Sequence, residues 1–486
     1  MAMPNTRNHS GKNTRTKPWV RARRIMLAVA FLAFVVPCMI LVGLKVFSER
    51  NLEGHIASIR AEGYPAALEE LPPWQERILP SPEGEGEADA TAAQLYLQAF
   101  ETLDRANDPH PLDNLRDILT QLGQEGTLPA EKLQEIEKEL AANTEALALL
   151  HQGAGLPSGK YQPEYAKGWD MVLPHVPGTR RAFLLLRAEA VDATFKQEPE
   201  RACTALLAAM ALLRPLQQEP LLASQGARTA CIELMLDILG NALKRLTFTE
   251  EHLARLQGAF QFIPVREALS NALVTERVLG IQAYAYPPLL ATGDEDWRGG
   301  DDAAPLLEVS SSLGVFVPDR KRYFGGMEEL IAGIRLPYPD ARKIFDRVAE
   351  RIDPRYRRRL ETATGQPRRN RHHHHAPLPS FSKILVRYNP LPLQAAQNEA
   401  YLGQCAAAIA LERYRVAQGT LPEQLDLLAP AYLAVPPVDP FDFQPLRYLI
   451  KDQGYILYSV GLNGVDDGGV PGENPGLGDL VFQVQR

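Results

Sequence analysis

Residues 402–469 read LGQCAAAIALERYRVAQGTLPEQLDLLAPAYLAVPPVDPFDFQPLRYLIKDQGYILYSVGLNGVDDGG, and this stretch says most about the fold. Its first part belongs to a predicted helix over residues 393–418, with a buried stripe at Leu402, Cys405, Ile409 and Val416. Gly419 supplies the left-handed cap that ends such a helix. A proline-rich turn at residues 436–441 follows, and the stretch closes in a glycine-rich loop.

Two short segments after the proline-rich turn alternate in polarity and predict a β-hairpin. They are residues 446–450 and 455–460, with 451–454 as the connection and Gly454 available for a positive φ. Residues 480–484 predict a third strand. We therefore expect residues 393–486 to form a small α+β domain.

The order of motifs in this domain resembles that of a known family. The motifs are Tyr-Arg-x-x-x-Gly-x-Leu-Pro from residue 414, Leu-x-x-Leu from 425, Pro-x-Asp-Pro-Phe from 437, Arg-Tyr at 447 and Tyr-x-Leu-Tyr-Ser-Val-Gly-x-Asn-Gly from 455. With them, residues 402–469 resemble the globular domain of the major pseudopilins of type II secretion systems. The resemblance implies a helix packed on a small antiparallel sheet, followed by an ordered C-terminal loop.

The resemblance also implies a calcium site in that loop, where the family uses acidic side chains and backbone carbonyls. The corresponding residues here are Asn463, Asp466, Asp467 and Asp479, with Glu473 nearby. Oxygen-rich loops with glycines suit Ca²⁺ chemically. Asn463 stands where the family commonly has Asp, and Asp-Asp-Gly-Gly also makes a turn without metal. Calcium is the one cofactor that the sequence suggests.

The membrane anchor separates this chain from a pseudopilin. A pseudopilin carries its membrane helix directly before the globular domain, after a processing site that ends in Gly, and it has a Glu early in the mature chain. Here the apolar run lies far upstream, and Arg23-Arg24-Ile25-Met26 has neither feature. We therefore do not expect prepilin processing or filament assembly. The whole plan resembles large, uncharacterised membrane-anchored proteins of planctomycete-type bacteria, a resemblance that implies no activity.

Residues 25–44, IMLAVAFLAFVVPCMILVGL, contain no charge and are long enough to cross a bilayer. A secretory signal peptide is the alternative, but no small-residue cleavage site follows the run. We expect a transmembrane anchor over residues 25–47. The basic residues before it place residues 1–24 in the cytoplasm and the bulk of the chain in the periplasm, as a single-pass protein of the inner membrane. Those basic residues are Arg7, Lys12, Arg15, Lys17, Arg21, Arg23 and Arg24.

The rest of the chain is predicted to be mainly helical. Residues 48–87 predict a linker with short helices, and 88–285 predict a helical domain, an irregular α-solenoid or a helical bundle. Residues 286–392 predict a mixed segment of helices and loops. No tetratricopeptide signature repeats. The chain has four cysteines without a CxxC pair, and a disulfide between Cys203 and Cys231 is left open.

Chemical motifs are scarce. Residues 153–160 look like a phosphate-binding loop but lack its first glycine and its Ser or Thr. His151, His175 and His252 have no metal-ligand partner at i+3 or i+4, which favours surface or hydrogen-bonded histidines. The arginines of 355–371 and the histidines of 372–375 predict a solvated loop; binding of an acidic surface or of a metal is the alternative.

The sequence therefore predicts a non-enzymatic envelope protein, either a scaffold or a secretion-associated component, with the membrane and envelope proteins as partners. The alternative is an envelope hydrolase or glycan-binding protein whose site lies in the helical domain. Nucleic acid is not an expected partner, because the net charge is −7 and the predicted topology places the later arginines outside the cytoplasm.

Overall fold

The computed structural model describes residues 18–78, 91–106, 112–260, 265–286, 304–356, 380–472 and 478–485. Within these residues the chain is mainly helical and ends in a three-stranded antiparallel sheet. The mainly helical class and the small C-terminal sheet are confirmed.

The first ten α-helices, in chain order, are α1 Pro18–Ala61, α2 Leu71–Ile78, α3 Ala92–Ala106, α4 Asp113–Glu125, α5 Ala130–Ala142, α6 Thr144–Ala154, α7 His175–Phe195, α8 Pro199–Leu212, α9 Arg214–Gln217 and α10 Leu222–Arg245. The next six are α11 Glu250–Ala259, α12 Val265–Ala285, α13 Ala304–Ser312, α14 Val317–Gly333, α15 Tyr338–Ile352 and α16 Leu391–Gln418. Short 3₁₀ helices are Leu68–Glu70, Tyr165–Asp170, Phe381–Tyr388 and Leu425–Leu428, and the strands are β1 Arg447–Lys451, β2 Gly454–Ser459 and β3 Leu480–Val484.

Helix α1 is 44 residues long and contains the predicted apolar run. In the described part of the chain it is the one helix long and apolar enough to cross a membrane, and the window that meets this test is only 6% buried. The helix does not stop at the end of the apolar run. Its last turns bury Ile59, with Leu52 and Ile56 packed beside it, in one of the hydrophobic cores. The first part of the predicted linker is therefore a direct continuation of the anchor.

Two helix starts illustrate why these helices form where they do. Pro199 occupies the first turn of α8, where its missing N–H has no partner to lose. Thr249 caps α11: its Oγ1 accepts a hydrogen bond from the backbone N–H of His252, and the His252 ring accepts one from the backbone N–H of Thr249. Such a reciprocal pair satisfies two of the four N–H groups that a helix start leaves open.

The sheet has the order β1-β2-β3, and both pairings are antiparallel. The hairpin turn has its positive φ at Asp452, 52°, and not at the predicted Gly454. Glycine is required at position 454 for another reason: a Cβ there would collide with the carbonyl oxygen of Val484 on β3. Every residue of β2 is buried, as expected for the central strand.

The C-terminal module, which we define as α16 with strands β1–β3, shares its core with the helical body. One continuous hydrophobic cluster runs from Ala92 on α3 to Val484 on β3. Helix α16 contributes the fully buried Ile409 and Leu411, and it packs against α10 and α11. Strand β3 also packs on α10, where Phe482 lies over Gly240.

A second hydrophobic core joins α1 to the rest of the body through α12, α14 and the 3₁₀ helix Phe381–Tyr388. Asp319 on α14 holds these elements together. Its carboxylate accepts hydrogen bonds from the hydroxyls of Tyr284, Ser380 and Ser382 and from the backbone N–H of Ser382. Helix α1 is thus fixed to a well-connected part of the body.

Candidate functional site

The proline-rich turn of the C-terminal module, residues 436–441, is organised around one buried carboxylate, Asp439. Its Oδ1 accepts hydrogen bonds from the backbone N–H of Phe441 and the hydroxyl of Ser459, each 2.9 Å long. Its Oδ2 accepts one from the backbone N–H of Val460 at 2.9 Å and one from Nη1 of Arg447 at 3.1 Å. Asp439 is fully buried, so these four donors replace its hydration. The motif residues therefore perform a structural task.

Arg447 links this buried carboxylate to the exposed loop. Its guanidinium also binds the carboxylate of Asp442, and this contact holds the pKa of Asp442 below its ordinary value. Its Nε lies 3.7 Å from Oδ2 of Asp466, the first acid of the glycine-rich loop. The hydroxyl of Tyr458 donates to Asp466 as well, at 3.0 Å. The start of the loop is thus fastened to β1 and β2.

The structure brings all four predicted calcium ligands into one loop. Nδ2 of Asn463 donates to Asp467 at 3.0 Å, and Oδ1 of Asp466 accepts the backbone N–H of Gly468 at 3.0 Å. The carboxylate of Asp479 accepts the backbone N–H groups of Asp467 and Gly469, at 3.4 and 2.7 Å. These bonds by themselves order the loop.

The charge around Asp479 favours binding of a cation, whereas the arrangement of the side chains does not form a ready site. Burial, together with the neighbouring carboxylates of Asp466 and Asp467, raises the pKa of Asp479. This concentration of negative charge would be relieved by a cation. However, the described residues contain no group of three or more His, Cys, Asp or Glu side chains already arranged around a metal position. Glu473, the fifth acid near the loop, lies outside the described residues.

The helical domain holds three histidine–glutamate pairs that local spacing did not reveal. Nε2 of His151 lies 2.7 Å from Glu189, Nε2 of His175 lies 2.8 Å from Glu219, and Nε2 of His252 lies 2.7 Å from Glu200. Each pair joins two different helices or loops. The two members of each pair are 38, 44 and 52 residues apart in the sequence, so inspection of positions i+3 and i+4 does not reveal them.

The His151–Glu189 pair lines an open cavity of about 500 Å³ beside the start of α8. Glu189 is nearly buried, and its second oxygen lies 3.6 Å from Nε of Arg201. Nη1 of Arg201 in turn lies 2.7 Å from the buried Asp192, which Lys196 also contacts. A second hollow of about 310 Å³ shares Arg201 on its other side. This network of alternating charges links the two hollows.

Two acidic side chains on α10 have raised pKa values. Glu233 and Asp237 are one helical turn apart, and burial of each carboxylate raises its pKa, as does the negative charge of Asp237 for Glu233. The side chain of Asp237 is nevertheless 52% exposed, and Nη2 of Arg187 lies 3.9 Å away. Burial, with smaller contributions from these two acids, raises the pKa of Tyr401 on α16 to about 12.

The remaining predicted features take structural places or lie outside the described residues. In the loop that looks like a phosphate-binding loop, the carbonyls of Pro157 and Ser158 accept hydrogen bonds from the backbone N–H groups of Ala92 and Ala93. This loop therefore caps the N-terminus of α3. All four cysteines are free, and Cys203 and Cys231 are buried thiols with pKa values raised by burial. Residues 357–379, with most of the arginines and all four consecutive histidines, lie outside the described residues.

Comparison of this chain with protein-family models, with curated proteins and with solved structures finds no match.

Proposed function

We propose that this protein is a single-pass, membrane-anchored scaffold of the bacterial envelope. In this proposal residues 25–47 cross the inner membrane, residues 1–24 are cytoplasmic and the helical body stands in the periplasm. The C-terminal module serves protein–protein contacts, beside a secretion or pilus-like machine.

One observation carries the proposal: α1 has two different halves. The apolar half is exposed over Met26, Phe31, Phe34 and Met39, each more than 60% accessible, which a soluble helix would bury. The other half is packed into the body through Ile59 and its neighbours. A helix of this kind joins a membrane to a folded body without a flexible joint.

The experiment is extraction of cell membranes with alkaline carbonate, combined with protease treatment of spheroplasts. We expect the full chain to stay in the membrane pellet. We also expect external protease to digest the body but to leave a short N-terminal fragment. Release by carbonate, or protection of the body in intact spheroplasts, would contradict the anchor or its orientation.

The contact surface that we propose is the outer edge of β1. Among the described residues this strand pairs with β2 on one side only, and Leu449 and Ile450 are 43% and 50% exposed. Phe443, just before β1, is 48% exposed, and Val438, on the preceding turn, is 56% exposed. An unpaired strand edge with apolar side chains is the surface to which another extended segment can add.

We also propose, as the resemblance implies, that the glycine-rich loop binds calcium through Asn463, Asp466, Asp467 and Asp479. The cluster of carboxylates around Asp479 supports this. Added Ca²⁺ should raise the melting temperature of the wild type and leave that of the Asp466→Ala, Asp479→Ala double variant unchanged, with Mg²⁺ as the control ion. An equal Ca²⁺ shift in the double variant would refute the loop site.

A second candidate function, binding or hydrolysis of an envelope glycan, is favoured by the cavity at His151, Glu189 and Arg201. Its carboxylates and guanidinium offer the hydrogen-bonding groups that a sugar requires, and a carboxylate beside an imidazole is a common acid–base arrangement. Soluble peptidoglycan fragments should then bind the wild type and not Glu189→Gln. Equal binding by both proteins would remove this candidate.

A further inference from the structure

A cavity of about 420 Å³ opens where the apolar segment of α1 ends. Helix α1 lines it with Lys45, Ser48 and Glu49, and the other side is formed by Ser311 and Arg320. Lys45 is the first charge after the apolar run. The hydrocarbon core of a bilayer is about as thick as the run is long, so this cavity lies at the depth of the lipid headgroups.

Arg320 is a buried cation whose contacts in this cavity are neutral. It is only 4% exposed, and its Nη2 donates to the backbone carbonyl of Ser48 at 2.6 Å and to Oδ1 of Asn51 at 3.1 Å. Its Nε has no hydrogen-bond partner, and no carboxylate lies within ion-pair distance of its guanidinium, among the residues that the structure describes. The neighbouring Asp319 is occupied by Tyr284 and two serines.

A buried guanidinium whose hydrogen-bond partners among the described residues are all neutral is unfavourable, and an anion in the cavity would stabilise it. The planar guanidinium favours phosphate oxygens in particular, because it donates two parallel hydrogen bonds to them. Lys45 adds a second positive charge; it is 58% exposed and lies 3.9 Å from Glu49. The carboxylates of Glu49 and Glu308 also line the cavity and suit an ammonium group near the phosphate.

The surroundings of the cavity favour a lipid over a soluble phosphate. Exposed apolar side chains, each at least 40% accessible, line this cavity or adjoin its lining residues in the sequence: Tyr286 lines it, Val46 and Phe47 stand between Lys45 and Ser48, and Val309 follows Glu308. A Cβ added at Gly314 would lie 3.5 Å from the carbonyl oxygen of Leu44, which places the turn between α13 and α14, with the exposed Val315, beside the end of the apolar run. Such side chains suit the boundary between headgroups and acyl chains.

We propose that this cavity binds the phosphodiester headgroup of one membrane phospholipid, with Arg320 and Lys45 on the phosphate and Val309 and Val315 on the adjoining acyl chain. The proposal rests on the membrane anchor proposed above. It adds a specific lipid contact, which would seat the body directly on the bilayer.

The test is native mass spectrometry of the full chain released from vesicles of phosphatidylethanolamine and phosphatidylglycerol, with the fraction that retains one phospholipid as the measurement. We expect Arg320→Gln to weaken retention about tenfold, since it loses charge-assisted hydrogen bonds. Lys45→Gln should weaken it about threefold, as an exposed contact does. Lys321→Gln, an exposed lysine beside Arg320 that does not line the cavity, should retain lipid as the wild type does.

The Lys45 variant keeps the test decisive if Arg320→Gln does not fold. Equal retention by the wild type, Lys45→Gln and Lys321→Gln would overturn the proposal. Displacement of the lipid by millimolar inorganic phosphate would also overturn it, in favour of a soluble anion. Carbonate extraction of the same membranes separates the two proposals: release of the wild type contradicts the anchor, whereas a retained wild type without bound lipid contradicts the headgroup site alone.

Discussion

Asp439 is the residue on which the C-terminal module most depends. Its four hydrogen bonds tie the proline-rich turn to β1 and to the end of β2. In Asp439→Asn an NH₂ group takes the place of one carboxylate oxygen. Where it replaces Oδ2, this donor faces two other donors, the backbone N–H of Val460 and the Arg447 guanidinium. We expect the free energy of unfolding, measured in urea on the detergent-solubilised chain, to fall by about 3 kcal/mol.

Asp442→Asn is the matched control for Asp439→Asn, because Asp442 contacts the same Arg447 from a partly exposed position. A partly exposed ion pair contributes little, so its loss should cost about 1 kcal/mol or less. If both substitutions lower the free energy of unfolding equally, the burial of Asp439 does not determine its contribution to stability.

Glu276 should make the stability of the folded protein decrease as the pH rises. It accepts a hydrogen bond from Tyr388 at 2.9 Å, and burial raises its pKa to about 7. Between its ordinary pKa and 7 the folded state binds more protons than the unfolded state, so stability falls as pH rises through this window. The loss amounts to at most about 3 kcal/mol.

Glu276→Gln should abolish that loss, because the amide carries no proton to release and its oxygen still accepts from Tyr388. We expect the melting temperature of the variant to vary less than that of the wild type between pH 5 and 8. Glu251→Gln, an exposed substitution at the start of α11, should leave the wild-type profile unchanged. A parallel profile for the Glu276 variant would refute this assignment.

At the scale of elements, strand β1 is where we expect a partner to bind. A Leu449→Lys, Ile450→Lys double variant places charge on the exposed edge without disturbing the buried β2. After gentle solubilisation and crosslinking, the envelope protein that co-purifies with the wild type should be lost from this variant. Val172→Lys, at a position in the helical domain that is 75% exposed, should keep it. Unchanged co-purification with the edge variant would place the contact elsewhere.

The sequence predicted elements well wherever their cause is local. The apolar run of α1 and the hairpin strands each follow from a few adjacent residues. The histidine–glutamate pairs and the contacts of Arg320 could not be predicted, because they depend on which helices pack together. Likewise, nothing local indicates that α1 continues beyond its apolar run into the body.

At the scale of the whole molecule, the C-terminal module and the helical body should unfold together. Isolated residues 393–486 would expose α16 residues such as Ile409 and Leu411, each worth about 1.5–3 kcal/mol when buried. Several such exposures exceed the usual net stability of a domain. We expect the fragment to lack a cooperative melting transition in circular dichroism, whereas the full chain shows one. A sharply melting fragment would show that the module is an independent domain.

The unbroken course of α1 has a consequence for how this protein would meet others in the membrane. Its turns beyond the apolar run rise only about 25 Å, so in the proposed anchoring the body would have one height and one tilt relative to the bilayer. Anchored neighbours would then search for each other by lateral diffusion in two dimensions, with much of the rotational freedom already removed. Restricting the search in this way raises the effective concentration of the binding surfaces. A modest contact at the edge of β1 would thereby suffice for assembly.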